Sequence, residues 1–339
     1  MILNVITIVA LVILVIGLRH QLGDTIADLK KVNAWTLLLI IPIEYVNYYA
    51  QTKQYQYLFK IVDENLDFKY LFKFALELNF VNHVFPSGGL SGISFFGLRL
   101  RSKGIRAGKS TLVQLMKLVL IFSSFEILLF IGMITLSVSG RVDNLVIFIG
   151  TALTVSVVIL TGLFLYVVSD HERIKNFFRL ATRAINRLVR VIRPGRPDAI
   201  SLERVKPLFD ELHSGFGLFK SKYKQLQKPF WYALLANITE IAVIYVVFLA
   251  FGKWVNVGAV ILAYAVANTA GFVSVLPGGV GVYEVLMTAV LVIGGVPAAL
   301  SISAIVMYRV LNTILQLPPG FYYYHRNLKI NNDIPISAD

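Results

Sequence analysis

Long apolar runs separated by short polar stretches dominate the chain. Runs long enough for a helix to cross the hydrocarbon of a bilayer cover residues 2–18, 34–50, 111–138, 144–168, 230–251 and 299–323, and each predicts a spanning helix. The first lacks a basic leader and a small-residue cleavage site, so it predicts a retained span rather than a signal peptide. Two further runs are long but broken. Residues 71–98 are interrupted at PSGGLSG (86–92), and residues 257–296 at LPGGVG (276–281).

Lipid offers no partner to the N–H and C=O groups that a Pro-Gly-Gly break sets free, so such a break requires protein or a polar cavity around it. Each broken run therefore predicts a re-entrant helical hairpin with its glycine-rich break at the tip. The order becomes helix, helix, hairpin, helix, and then the same again, with the second hairpin entering from the opposite face. At an offset of 191, Pro86 meets Pro277, Gly88 meets Gly279, Gly104 meets Gly295 and Ser110 meets Ser301. The predicted fold is an all-α polytopic membrane protein with about six spanning helices and two re-entrant hairpins arranged as an inverted repeat. Its organisation is a first membrane repeat (1–168, hairpin 71–98), a basic linker (169–229), a second membrane part (230–324, hairpin 257–296) and a polar tail (325–339).

Composition agrees with this picture and narrows it. Hydrophobic residues make up 57% and charged residues 15% of the 339 residues, which is too apolar for a soluble domain of this length. Fourteen Lys/Arg fall between Ser169 and Pro229, and a second basic cluster follows the first hairpin. The positive-inside rule assigns both to the cytoplasm, with both termini on the same side, in the cell membrane of a bacterium or archaeon. Within the linker, Ile174, Phe177, Phe178, Ala181, Ile185, Leu188 and Ile192 recur at helical spacing between arginines and lysines. They predict an amphipathic helix that lies on anionic lipid or gathers an anionic lipid substrate. The net charge of +13 sits beside spans, where topology alone puts it, so nucleic acid is not an expected partner.

Candidate chemistry is confined to a few polar residues at membrane depth. There is no cysteine, no zinc spacing, no P-loop and no nucleophile elbow, so neither an enzyme nor a metal or cofactor site is expected. Each tip can present backbone N–H groups at the start of the following half-helix, an arrangement suited to a phosphate, and Ser91 adds a hydroxyl at the first. Tight packing of the hairpin legs is the other use of such glycines. Ionisable groups inside a membrane are costly and mark function or buried pairs. Glu284 and Arg309 are expected to pair across the site, with Glu126 and Glu240 in spans on either side of the linker and Asn82 beside the first tip.

The segment SVLPGGVGVYEVLMTAVLVIGGVPAALSISAIVMYRVLN, residues 274–312, resembles the C-terminal signature of the lysylphosphatidylglycerol synthase transmembrane region, a flippase-like family. NFVNHVFPSGGLSGISFFGLRLRSKGI resembles its N-terminal signature. The resemblance implies a lipid translocase for an anionic or aminoacylated phospholipid. It suggests substrate-binding roles for Asn82, Pro86, Gly88, Gly89, Gly92 and Arg99, and for Pro277, Gly278, Gly279, Gly281, Glu284, Tyr308 and Arg309. Bifunctional members continue into a further membrane segment and a soluble synthase domain, whereas this sequence stops at Asp339. Alternatives are a translocase for a polyprenyl-phosphate-linked envelope precursor, or a non-transporting subunit that recruits a separate synthase. A homo-oligomer is a further expectation.

Overall fold

The apolar runs fold into helices, and no strand occurs among the described residues. The structure, a computed structural model, describes residues 32–84, 90–140, 144–192, 202–273 and 281–332. The expected span at 2–18 lies outside these residues. So do Pro86, Gly88, Gly89, Pro277, Gly278, Gly279 and the side chain of Ser91.

After a helical turn at Ala34–Leu37, the first half consists of α1 (Ile40–Ile61), α2 (Phe68–Val84), α3 (Leu90–Arg101) and α4 (Ala107–Val138). An inserted trio follows: α5 (Asn144–Val168), α6 (His171–Ile192) and α7 (Leu202–Ser221). The second half consists of α8 (Gln227–Ala250), α9 (Val257–Val273), α10 (Val282–Ile293) and α11 (Ala298–Asn332). Among the described residues, four helices are long and apolar enough to cross a membrane, over Ala107–Val138, Asn144–Val168, Tyr223–Ala250 and Ala298–Asn327. The protein is a multi-pass membrane protein.

The two halves match element by element. The inner hairpin legs, α2 and α9, have 17 residues each and the outer legs, α3 and α10, have 12 each. At 1.5 Å per residue they reach about 26 and 18 Å, short of the roughly 30 Å hydrocarbon core. An Asx residue caps both inner legs. Asp67 Oδ2 accepts from the Lys69 N–H at 2.9 Å, and Asn256 Oδ1 from the Gly258 N–H at 2.8 Å, as helix N-termini favour.

Contacts fix the direction of each leg. In the first hairpin Tyr70 meets Lys103, Glu77 meets Arg99 and Asn82 meets Gly92, so numbers rise on one leg as they fall on the other. The legs are antiparallel, and both open ends lie together. The corresponding helices α1 and α8 are also antiparallel, since Asn33 meets Ala250, Asn47 meets Ala236 and Tyr57 stacks on Tyr232. Corresponding helices that run oppositely are the mark of an inverted repeat. The halves also exchange partners: α2 packs against α11, and its counterpart α9 packs against α4.

Three elements differ from the sequence-based expectation. The polar stretch after residue 50 continues α1 to Ile61, because Gln54 and Tyr55 are buried against α4 instead of meeting water. The linker holds two helices rather than one. Leu212 and Phe219 of α7 are buried, and Glu211 Oε2 accepts from the Gly108 N–H at the start of α4 at 2.7 Å. The amphipathic α6 packs on α7 through Ile174 while Phe177 and Leu180 stay exposed. Finally, α11 runs beyond residue 324 to Asn332, and Asn327 donates to Glu77 of α2.

Candidate functional site

Polar side chains gather where α1, α8 and α11 meet near their midpoints. On α1, Glu44, Asn47, Tyr48, Gln51 and Tyr55 recur every three or four residues and so share a face. On α11, Tyr308, Asn312 and Gln316 do the same at intervals of four. Asn47 Nδ2 donates to the Ala236 carbonyl, Thr239 Oγ1 and Glu240 Oε1 at 3.1, 2.8 and 3.2 Å, and so ties α1 to α8. Gln51 Nε2 donates to Asn47 Oδ1 at 2.6 Å, and Lys117 Nζ of α4 donates to Gln51 Oε1 and Tyr55 Oη at 3.1 Å each. Across the site Tyr308 Oη donates to Glu240 Oε2 at 3.4 Å.

The first hairpin joins this cluster through Asn79. Its Nδ2 donates to Tyr48 Oη at 2.6 Å and to Gln316 Oε1 at 2.8 Å. Gln316 Nε2 in turn donates to Glu44 Oε2 at 3.3 Å and to Asn312 Oδ1 at 2.6 Å. One turn after Asn79, at the end of α2 next to the first break, His83 lies within electrostatic range of Arg309.

The second hairpin joins through Glu284 and Arg309. Glu284, in the first turn of α10, uses both oxygens: Oε2 accepts from the Gly281 N–H at 2.7 Å and Oε1 from Arg309 Nε at 3.1 Å. Gly281 takes φ +89°, a backbone geometry that disfavours any residue with a Cβ. Arg309 also lies over the Tyr283 ring, 4.7 Å from its centroid. The N-terminus of α10 thus already carries an anionic group, the carboxylate of Glu284.

The structure brings Glu240, Glu284, Tyr308 and Arg309 together and sets Arg99, Asn82, Gly92 and Glu126 apart. Arg99 pairs with Glu77 inside its own hairpin at 3.1 Å. Asn82 is exposed, and its side chain lies against Gly92, where a Cβ would fall 1.9 Å from Asn82 Oδ1. Close approach of the two legs therefore explains Gly92. Glu126 lines a separate cavity of about 140 Å³ between α4, α5, α8 and α9, with Asn237, Tyr264 and Asn268 on its wall. Sequence reasoning missed Glu44, Asn47, Gln51, Lys117, Asn312 and Gln316; the four-residue spacing on α11 was there to be read, whereas the stripe on α1 is masked by its apolar neighbours. No group of three or more His, Asp or Glu arranged for a metal ion occurs among the described residues.

The family model described as the lysylphosphatidylglycerol synthase TM region matches residues 1–320. A UPF0104 membrane protein of Methanothermobacter thermautotrophicus is 34% identical over 119 residues, covering 33% of this chain and 36% of the relative. The match thus spans about a third of that relative's length.

Proposed function

We infer that this chain, which belongs to the family of the lysylphosphatidylglycerol synthase TM region, moves the head group of an anionic or aminoacylated phospholipid between membrane leaflets. A charged head group is the costly part of that passage, since even one charged side chain at the bilayer centre costs about 3 kcal/mol on insertion scales. The observation that carries the proposal is the polar cluster at the midpoints of α1, α8 and α11, reached from one hairpin through Asn79 and His83 and from the other through Glu284 and Arg309. Arg309 takes the lipid phosphate in place of Glu284, the acyl tails stay in the membrane, and the two inverted halves rock to open the cluster to one face and then the other. The step makes and breaks no covalent bond, so the chain acts as a transporter rather than an enzyme.

The basic α6–α7 pair faces the cytoplasm in this account, with both termini, and holds the anionic surface of a cell membrane. A polyprenyl-phosphate carrier presents the same phosphate chemistry to Arg309 and is the nearest alternative cargo. Proteoliposomes containing fluorescent lipid analogues test the proposal through dithionite quenching of the outer leaflet. The purified protein should expose inner-leaflet label to the quencher. Arg309→Ala should slow that phase at least about tenfold, the cost of about 1.4 kcal/mol at the barrier. Exchange no faster than in protein-free vesicles, for every phospholipid and carrier lipid tried, would overturn it.

A further inference from the structure

We propose that Glu44 and Glu240 hold a proton between them and that its uptake from one face and release to the other drives the translocation cycle. The proposal rests on the translocase reading above and supplies its energy source. The two carboxyls stand on α1 and α8, the corresponding helices of the two halves, which run antiparallel along the seam between them. Glu240 is ten residues from Ala250 and thirteen from Gln227, so about 15 Å or more of helix separates it from either end. Asn47, three residues after Glu44 on the same face of α1, donates to Glu240 Oε1 at 3.2 Å, which sets both carboxyls at one level of the seam.

Among the described residues, the side chains that bond to the two carboxyls are the uncharged Asn47, Tyr308 and Gln316. Around the pair, Tyr48 comes from α1, Tyr264 from α9, Tyr283 from α10 and Tyr308 from α11, and all are neutral phenols. The flanking groups of α2 and α11 are the amides of Asn79 and Gln316. Lys117 of α4 reaches Glu240 only through Gln51 and Asn47, and Arg309 is bonded to Glu284. No lysine or arginine forms an ion pair with either carboxyl among the described residues. Glu44 Oε1 is buried and has no hydrogen-bond partner.

Two carboxyls at one level of a seam inside the membrane, with no ion-pair partner among the described residues, do not both stay ionised. A proton from water on the acidic face forms an O–H bond on one of them, and the same proton leaves to water on the other face. Nothing is oxidised or reduced. Loss of the proton leaves a second negative charge at the α1–α8 seam, and repulsion there separates the halves. Hydrogen bonds carry the change outward, from Glu44 through Gln316 to Asn79 of the first hairpin and from Glu240 to Tyr308 beside Arg309.

The test uses the full chain in proteoliposomes, with pH and sodium gradients imposed separately, and infrared difference spectroscopy of the carboxyl C=O band on the detergent-purified protein. A pH gradient should bias leaflet exchange towards one leaflet and reverse the bias when inverted, to at most about tenfold accumulation per pH unit for one coupled proton. Glu240→Gln and Glu44→Gln should each lose that bias and the protonated-carboxyl band; the second variant decides the matter should the first not fold. Exchange equal in both directions under a pH gradient, a bias set by sodium alone, or a spectrum without the band would each overturn the coupling. Absence of leaflet exchange under every gradient would instead overturn the translocase reading, whatever the infrared band shows.

Discussion

Gly281 begins the outer leg of the second hairpin at φ +89° while its N–H donates to the carboxylate of Glu284. Among the described residues a Cβ there meets no atom within 4 Å, so Gly281→Ala has backbone strain to bear, about 1–2 kcal/mol. Thermal unfolding in detergent should show a lower midpoint for Gly281→Ala. It should show a slightly higher one for Gly97→Ala, within α3, where a Cβ also finds open space and the helix gains propensity. Equal midpoints would contradict the assigned backbone. At this scale Glu284 and Arg309 were legible in the sequence because charge is rare at membrane depth. Glu44, Asn47 and Gln51 were not, because their apolar neighbours make 34–50 read as a lipid-facing span. Only the partners on α8 and α11 reveal that the polar stripe has a protein surface to meet.

Among elements, the hairpins carry the account. Antiparallel legs at 71–98 follow from the Pro-Ser-Gly-Gly break by the cost of unsatisfied backbone in lipid, and the contacts of Tyr70, Glu77 and Asn82 with Lys103, Arg99 and Gly92 agree. The chain has no cysteine, so an introduced pair is the only thiol pair present. Asn82→Cys with Gly92→Cys should form a disulfide under mild oxidation, seen as a mass loss of two hydrogens. Two free thiols after oxidation would mean that the legs do not return past one another. The helical pair α6–α7 was only half legible. The spacing of Ile174, Phe177 and Phe178 announces one amphipathic helix, whereas α7 docks through Glu211 on the backbone of Gly108, a contact 103 residues apart that no local pattern encodes.

At the scale of the molecule, the two halves share only scattered residues at an offset of 191, yet they match helix for helix, with equal leg lengths and exchanged partners. Repeats diverge this way because packing requires length, polarity and small residues at contacts, not identity. Sequence matching therefore undersells the symmetry that the fold displays. If the halves rock about the shared cluster, a bond between them must stop transport. Gly320 of α11 lies against α2, where a Cβ would fall 2.6 Å from the Phe80 Cβ, well away from Arg309 along the helix. The most direct measurement is lipid exchange in proteoliposomes by Phe80→Cys/Gly320→Cys, oxidised and then reduced. Translocation by relative movement of the halves predicts exchange that stops on oxidation and returns on reduction; equal rates in the two states would contradict it.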